Sequence, residues 1–338
     1  MEIGGLSFGS TPLDPETGRP VSSAQAVRNL LEAIEVAEQV GLDYFGVGEH
    51  HQTGAPIPDP GTVLAAAAAR TTRIRLGSSI TVLGAADPVR VFEQFATIDA
   101  LSNGRAEITA GRGAASEPFI LFGADLADYD ALFAEKFELL RQLGREERVT
   151  WSGRFRPSLN DTVIVPRPER HEIPLWLATG GNPNSIIRAA RQHARVFFSD
   201  IGADPARFEP LARLYREASA QADSPMENVR IGFANVGLIA DASVNAAEYW
   251  RPYFDARNRE MSGRTFPREF YDQQARPEGS FFVGTGEQIA ERIINLHKLI
   301  HHDRHLVKAA GHLPHRMLLR HIELLGTVVK PIIDAEIG

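Results

Sequence analysis

The chain has 338 residues, a length that suits one large α/β barrel. Its net charge of −7, with no dense Lys/Arg run, argues against a nucleic-acid partner. The absence of cysteine excludes disulfides, thiolate metal sites and a cysteine nucleophile. A hydrophobic fraction of 43% is enough for a sizeable core. No stretch approaches the roughly 18 apolar residues of a membrane span. The opening MEIGGLSFGSTP has no basic start followed by a long apolar run. The expectation is a cytoplasmic protein with no membrane partner.

Strand-like and helix-like segments alternate from end to end. Ile3–Phe8 reads as the first strand. Ser23–Val40 carries apolar residues at a helical period, with Ser22 or Ser23 as cap and Gly41 as its end. Tyr44–Gly48 is strand two, Thr62–Arg70 an alanine-rich helix, Ile74–Val82 strand three and Val89–Leu101 the next helix. Ala106–Gly111 is strand four, followed by a helix at Asp130–Leu143. Val149–Arg170 is less regular and reads as a hairpin excursion. Leu175–Thr179 and Pro183–Gln192 form the fifth strand and helix. Val196–Asp200 is strand six, Pro205–Ala222 its helix, and Val229–Ala240 strand seven. Ser243–Met261 reads as a helix, and 262–279 as an irregular polar insertion. Glu287–Ile300 is helical, Arg304–Ala309 strand eight, and His315–Ile333 a closing helix. Eight alternating units in one chain predict a single (β/α)8 barrel domain over 1–338, the competing architecture being a doubly wound open sheet.

Strand two stops abruptly in Glu49, His50 and His51. In a barrel the C-terminal strand ends line the active-site mouth, so these groups face a pocket rather than break the core. An alternative is that one histidine satisfies a loop backbone and the other faces water. Strand three ends in small residues including Ser79, a pattern that lets a flat ligand approach the backbone. Strand four ends in Gly111-Arg-Gly113. This is half of a glycine-rich fingerprint, but Pro118 and an apolar run intervene before any helix. Arg112 is then either a cation at the pocket rim or a surface ion pair. Strand five gives the sharpest signal, Thr179-Gly-Gly-Asn-Pro-Asn-Ser185. Asn182 suits the N-cap and Pro183 the first helical position. The freed backbone N–H groups at Gly180 and Gly181, with Asn184 and Ser185, suit a phosphate; an ordinary capped helix is the alternative. The run His301-His-Asp-Arg-His305, with His312 and His315, fits no standard metal spacing and reads as solvated surface.

Taken together these residues resemble the bacterial luciferase-like flavin monooxygenase family. The likeness is carried by Glu49-His-His51, Leu76-Gly-Ser-Ser-Ile-Thr-Val-Leu with Pro88-Val-Arg90, Asp99-Ala-Leu-Ser-Asn-Gly-Arg105 leading to Gly111-Arg-Gly113, and Thr179–Ser185. Phe122-Gly-Ala-Asp125, Val283-Gly-Thr-Gly-Glu-Gln288 and Glu323-Leu-Leu to Val329-Lys-Pro331 also fit, so nearly the whole chain is covered. The resemblance implies a barrel that binds reduced FMN across its mouth, with its phosphate near Arg112 and the Gly180–Ser185 turn. It matches His50 to the active-site histidine, with Glu49 and His51 beside it. It implies a non-proline cis peptide at Ser79–Ile80. It also implies a homodimer through flank helices, with Thr62–Arg70 and Val89–Leu101 as candidates.

Gly111 stands where the luciferase catalytic subunit has a reactive cysteine, which sets this chain apart from aldehyde oxidation with light emission. The stretch 262–279, with Arg264, Arg268, Tyr271 and Arg276, occupies the place of a mobile loop and is a candidate lid. The implied chemistry is hydride transfer or oxygen insertion into a small organic substrate, with His50 shuttling a proton. No separate nicotinamide domain is visible, so reduced flavin would come from a partner reductase, or nicotinamide would bind transiently to the same face. Rival readings are a deazaflavin-dependent dehydrogenase, a non-catalytic flavin-binding protein, and a metal hydrolase using Glu49, His50, His51 and Asp200. Adjacent histidines in a strand suit a single metal poorly unless a turn intervenes.

Overall fold

A computed structural model describes residues 1–14, 18–52, 54–113, 116–168, 172–199, 202, 204–242, 244–309 and 311–337. Eight parallel strands close on themselves: Glu2–Ser7, Tyr44–Val47, Arg75–Ser78, Ala106–Gly111, Leu175–Thr179, Arg195–Ser199, Ile231–Ile239 and Arg304–Ala309. The register runs Gly4 to Tyr44, Leu76 to Ala106 and Ile108 to Leu175, and the ring shuts where Ile231 meets Val196 and Glu2 meets Arg304. The open-sheet alternative is thereby excluded.

The strands are buried on both faces, so they read as continuous apolar runs without alternation. Their outer faces pack on helical stripes such as Leu30, Ile34 and Ala37 of helix Ser23–Gln39. Ser22 caps that helix through its side chain. Inside the barrel, Leu6, Tyr44, Trp176, Phe197, Ala234 and Leu306 pack as a separate core cluster.

The floor of the barrel is charged. Glu107 and Arg304, on the fourth and eighth strands, are fully buried and joined by two hydrogen bonds of 2.7 and 3.0 Å. Trp176 Nε1 donates to the same carboxylate at 2.7 Å, and Arg75 pairs with it as well. Arg304 Nε donates to Glu2 at 2.6 Å, and its guanidinium lies 4.1 Å from the Tyr44 ring centre and 4.7 Å from that of Trp176. Burial alone would raise the Glu107 pKa, but Arg304 outweighs it and holds the carboxyl at about 2.

Several elements differ from the sequence expectation. Strand three is split into Arg75–Ser78 and Thr81–Val82, with a non-proline cis peptide at Ser79–Ile80 between the pieces. The excursion at 149–170 contains an antiparallel pair, Arg148–Trp151 with Leu159–Val163. A short helix at Glu117–Phe122, where the sequence showed only Pro118 and an apolar run, follows strand four. The closing helix is interrupted by a π turn at Leu325–Val329 and continues to Ile337.

The stretch read as irregular holds a helix, Arg268–Gln274, and a short strand after it, Phe282–Gly284, pairs with the end of the seventh barrel strand. Aromatic packing holds this insertion in place. Trp250, Phe254, Tyr271 and Phe281 form one cluster, with ring centres 5.0 Å apart for Phe254–Phe281 and 5.5 Å for Trp250–Phe281. Tyr271, expected on a surface lid, is fully buried and donates to Ala247 O at 2.6 Å. Arg268 remains exposed, paired with Glu248 and Asp272.

The histidine tail is also corrected. His302 and His305 are fully buried, not solvated: His302 Nε2 meets His305 Nδ1 at 3.0 Å, and His305 Nε2 meets Asn235 Oδ1 at 3.0 Å. His305, in the eighth strand, faces the core between Phe233 and Phe282, which stack on its ring, and His302, just before the strand, packs against Phe233 and His305. Only His301 of that run stays at the surface, at the helix C-cap. Among the described residues no helix is long and apolar enough to cross a membrane.

Candidate active site

The C-terminal strand ends enclose a cavity of about 530 Å³. The second strand stops at Val47 for lack of space as much as lack of apolar residues. A side chain at Gly48 would run into the Phe8 ring and the Ser79 carbonyl, so the backbone passes there as glycine and then leaves the sheet. Glu49 N donates to Ile80 O at 3.1 Å and His50 N to Ile57 O at 3.0 Å. Because this segment is a loop and no longer a strand, Glu49, His50 and His51 all reach the cavity wall. The alternation that would have turned one histidine away does not operate there.

The three side chains differ in their ties. His51 Nε2 lies 3.0 Å from Glu49 Oε1, and the other Glu49 oxygen accepts from Val82 N at 2.8 Å. Burial raises the Glu49 pKa against the opposing pull of His51 and Val82. His50 is packed edge-on against Phe8, with centroids 4.6 Å apart, and its ring has no hydrogen-bond partner among the described residues. Burial first, then the charges of Lys308 and Arg257, push its pKa down to about 4, with Glu117 opposing. His50 is therefore neutral at pH 7.

Beyond the cis peptide, Ile80 and Val82 offer an apolar surface, and Ser79 Oγ is buried without a partner. A Cβ at Gly111 would collide with the Ile80 side chain, so glycine is the residue that allows this packing. Arg112 sits at the rim, ion-paired with Asp130, with its guanidinium 5.5 Å from the Tyr129 ring centre. Arg188 is close enough to feel both Arg112 and Asp130.

Of the strand-five turn, Thr179 and Gly180 line the cavity; Gly181, Asn184 and Ser185 do not. The backbone donors of the turn are already engaged. Thr179 Oγ1 accepts from Gly181 N and Asn182 N at 3.2 and 3.1 Å, and Asn182 Oδ1 from Asn184 N and Ser185 N at 2.9 and 3.3 Å. This is the geometry of a self-capped helix. Open space remains beside Gly180.

Sequence reasoning missed Lys308 and Arg257, and the aromatic wall of Phe254, Phe266, Phe270 and Phe281. Lys308 had a readable signal: it is a charged residue at the C-terminal end of a barrel strand, like Glu49. Arg257 and the aromatic residues lie beyond strand seven, and only the folding-back of the insertion brings them to the mouth. Asp200, a ligand in the rival metal reading, lies outside the described residues. Among those residues no group of three His, Asp or Glu is placed to hold a metal.

The family model described as luciferase-like monooxygenase matches residues 1–303. The chain belongs to the luciferase-like monooxygenase family. Its structure is similar to the monooxygenase RslO1 from Streptomyces bottropensis, with a TM-score of 0.85 and 24% identity over 98% of this chain and 99% of that one. It is also similar to the oxygenating constituent of 3,6-diketocamphane monooxygenase of Pseudomonas putida, in complex with FMN, with a TM-score of 0.75 and 17% identity over 98% of each chain. In sequence it is 32% identical to the F420-dependent glucose-6-phosphate dehydrogenase of Amycolatopsis mediterranei over 162 residues, 46% of this chain and 48% of that one. The match thus spans about half of that relative. Enzymes named for oxygenation and for F420-dependent dehydrogenation both fall within reach of this luciferase-like chain.

The protonation of His50 is directly testable. Its imidazole signals followed by NMR should titrate near pH 4, against about 6.5 for an exposed histidine. Between those values the unfolded chain binds a proton that the folded chain does not, so stability falls as pH drops from 6.5 toward 4 and is flat above. His302, His305 and His321, also lowered by burial, add to the same slope. His50→Phe should remove up to about 1.4 kcal/mol per pH unit from that slope in urea unfolding. An unchanged slope would mean that His50 titrates normally.

Proposed function

We propose that this chain is a flavin-dependent monooxygenase or oxidoreductase that uses reduced FMN and molecular oxygen to oxidise a small organic substrate. The observation that carries this reading is one stretch of cavity wall. There the apolar Ile80 and Val82 lie side by side, with His50, whose ring has no hydrogen-bond partner among the described residues, lining the same cavity. A flat heteroaromatic ring needs apolar surface on its face and a few unpaired polar atoms at its edge, and this wall offers both. Arg112, with Thr179 and Gly180, would hold the phosphate, Arg112 exchanging Asp130 for it, with Arg188 adding to the local positive charge. Gly181, Asn184 and Ser185 would support that turn from behind the wall.

When bound, reduced FMN supplies the electrons and the reactivity toward oxygen; the chain supplies position, dryness and a proton path. Ile80 and Val82 would bear on the face of the ring. Phe254, Phe266, Phe270 and Phe281 keep water from the reacting face. His50, neutral and unbonded, accepts a proton on a free ring nitrogen and returns it, while the Glu49–His51 pair anchors the loop that carries it. Reduced FMN would come from a separate flavin reductase. A deazaflavin is the second reading, favoured by the likeness to an F420-dependent dehydrogenase. The same reading includes a cytoplasmic homodimer paired through helices Pro60–Ala68 and Pro88–Ser102, which pack side by side on one flank. Light scattering at micromolar concentration should return twice the chain mass, and a monomer would remove the dimer.

Titration of oxidised FMN, riboflavin and deazaflavin, followed by absorbance and fluorescence, tests the cofactor. Arg112→Ala should weaken FMN by the worth of a charge-assisted contact, about 1.5–3 kcal/mol, and riboflavin hardly at all. Equal losses would take Arg112 out of phosphate binding, and tighter deazaflavin than FMN would select the second reading.

His50→Ala should slow oxygen-dependent oxidation of reduced FMN and substrate turnover by roughly two to four orders of magnitude, leaving FMN affinity nearly unchanged. His51→Ala should act mainly on stability, since its partner is Glu49. The opposite ranking would reassign the proton carrier to His51.

A further inference from the structure

Two cations in the cavity have no acid to answer them among the described residues. Arg257 lies on helix Ala246–Ser262 one turn beyond Phe254, and its Nη1 is buried without a hydrogen-bond partner. Lys308, near the end of the eighth barrel strand, places Nζ 3.6 Å from the centre of the Phe8 ring and has no hydrogen bond or ion pair with a described residue. Among the described residues, His50, Glu260 with its partner His312, and Glu117 are the titratable groups near these cations. His50, from the loop after strand two, is neutral at pH 7. Glu260, on Arg257's own helix, is paired with His312. Glu117, at the start of the short helix after strand four, accepts from Gln52 at 2.6 Å. Lysine and arginine are almost never buried unpaired, so these two, which have no ion pair with a described residue, suit an anionic ligand at this end of the cavity.

The surroundings describe the rest of the ligand. Phe254, Phe266, Phe270 and Phe281 form an apolar wall, with Phe254–Phe266 and Phe266–Phe270 stacked at 5.8 and 4.8 Å. Lys308 and His50 both touch Phe8, so an anion held by Lys308 brings its carrier next to His50. Strands four and eight are opposite in a ring of eight, so Arg112 and Lys308 stand on opposite sides of the mouth. They would serve two different anionic groups. Burial and the neighbouring Arg257 lower the Lys308 pKa to about 7, the behaviour of an ammonium whose counter-ion is absent.

We propose that Arg257 and Lys308 together hold the single carboxylate of an organic-acid substrate whose apolar body, about the size of a phenyl group, lies against Phe254, Phe266, Phe270 and Phe281. The assignment rests on the flavin reading of the same cavity and adds the substrate's class to it. A guanidinium and an ammonium supply the two donors that a carboxylate accepts, and aromatic side chains suit a flat apolar body.

The test uses 3-phenylpropionate and its uncharged isostere 3-phenylpropionamide, titrated calorimetrically into the protein without flavin and again with oxidised FMN present. The acid should bind at least tenfold more tightly than the amide. Lys308→Met and Arg257→Met should each bring the ratio close to one while keeping the amide affinity. Lys308→Arg should keep the preference, which separates loss of charge from misfolding. Equal binding of acid and amide to the wild type, including no binding of either, overturns the proposal. So does a Lys308→Met variant that loses FMN but not riboflavin and keeps its preference for the acid, because the cation then serves the cofactor phosphate. If FMN fails to bind while the acid preference persists and depends on both cations, the flavin reading falls and the anion site stands.

Discussion

The buried pair of Glu107 and Arg304 is the constraint on which the rest of the barrel depends. It ties the fourth strand to the eighth, which lie opposite each other in the ring and 197 residues apart in the chain. Both charges are desolvated, so each is tolerable only because the other is there. Trp176, Arg75 and Glu2 complete the donors and acceptors, and Tyr44 covers the guanidinium. These residues stand at or near the N-terminal starts of their strands. A polar layer tied this closely joins several strands at once.

The opposite end of the barrel follows other rules. At the floor Glu107, Arg304, Arg75 and Glu2 each have a counter-charge close by. At the mouth Glu49 is bound to His51 and Arg112 to Asp130, but His50, Arg257 Nη1 and Lys308 Nζ have no hydrogen-bond partner among the described residues. Unpaired polar groups in an enclosed space cost stability, and proteins carry such costs mainly where a ligand relieves them. The lowered pKa of His50 follows from the same arrangement: two cations and a dry wall make a third positive charge unfavourable. The mouth is thus prepared for anionic and hydrogen-bonding ligands, and the stability it forgoes is supplied by the floor and by the shell of helices.

Much of the architecture could be read from the residues. Seven of the eight strands and most helices fall within a residue or two of their expected bounds, because apolar periodicity and caps such as Ser22 and Asn182 are local properties. The third strand was expected whole, and only the cis peptide at Ser79–Ile80, where it is split, was implied by family resemblance. The insertion after the seventh strand was misjudged. Its polar composition suggested an irregular loop, yet Tyr271 and Phe281 are buried against Trp250. The histidines at 302 and 305 were read as surface because their spacing fits no standard metal site and the run begins at a helix end, whereas the structure buries both, His305 bonded to Asn235 and His302 to His305.

The sequence by itself determined which residues stand at the ends of strands, and so that Glu49, His50, His51, Ser79, Ile80, Gly111, Arg112, Thr179 and Gly180 would share one cavity. That much follows from the rule that parallel strands of a barrel point their C-terminal ends the same way. Tertiary structure alone decided how those residues are partnered. It gave Glu49 to His51 and left His50 unbonded. It consumed the backbone donors of the 179–185 turn in self-capping. It folded Arg257 and four phenylalanines over a mouth to which no local pattern assigns them. The reason is physical: periodicity reports which face of an element is apolar, but a hydrogen bond or an ion pair depends on distances between segments far apart in the chain.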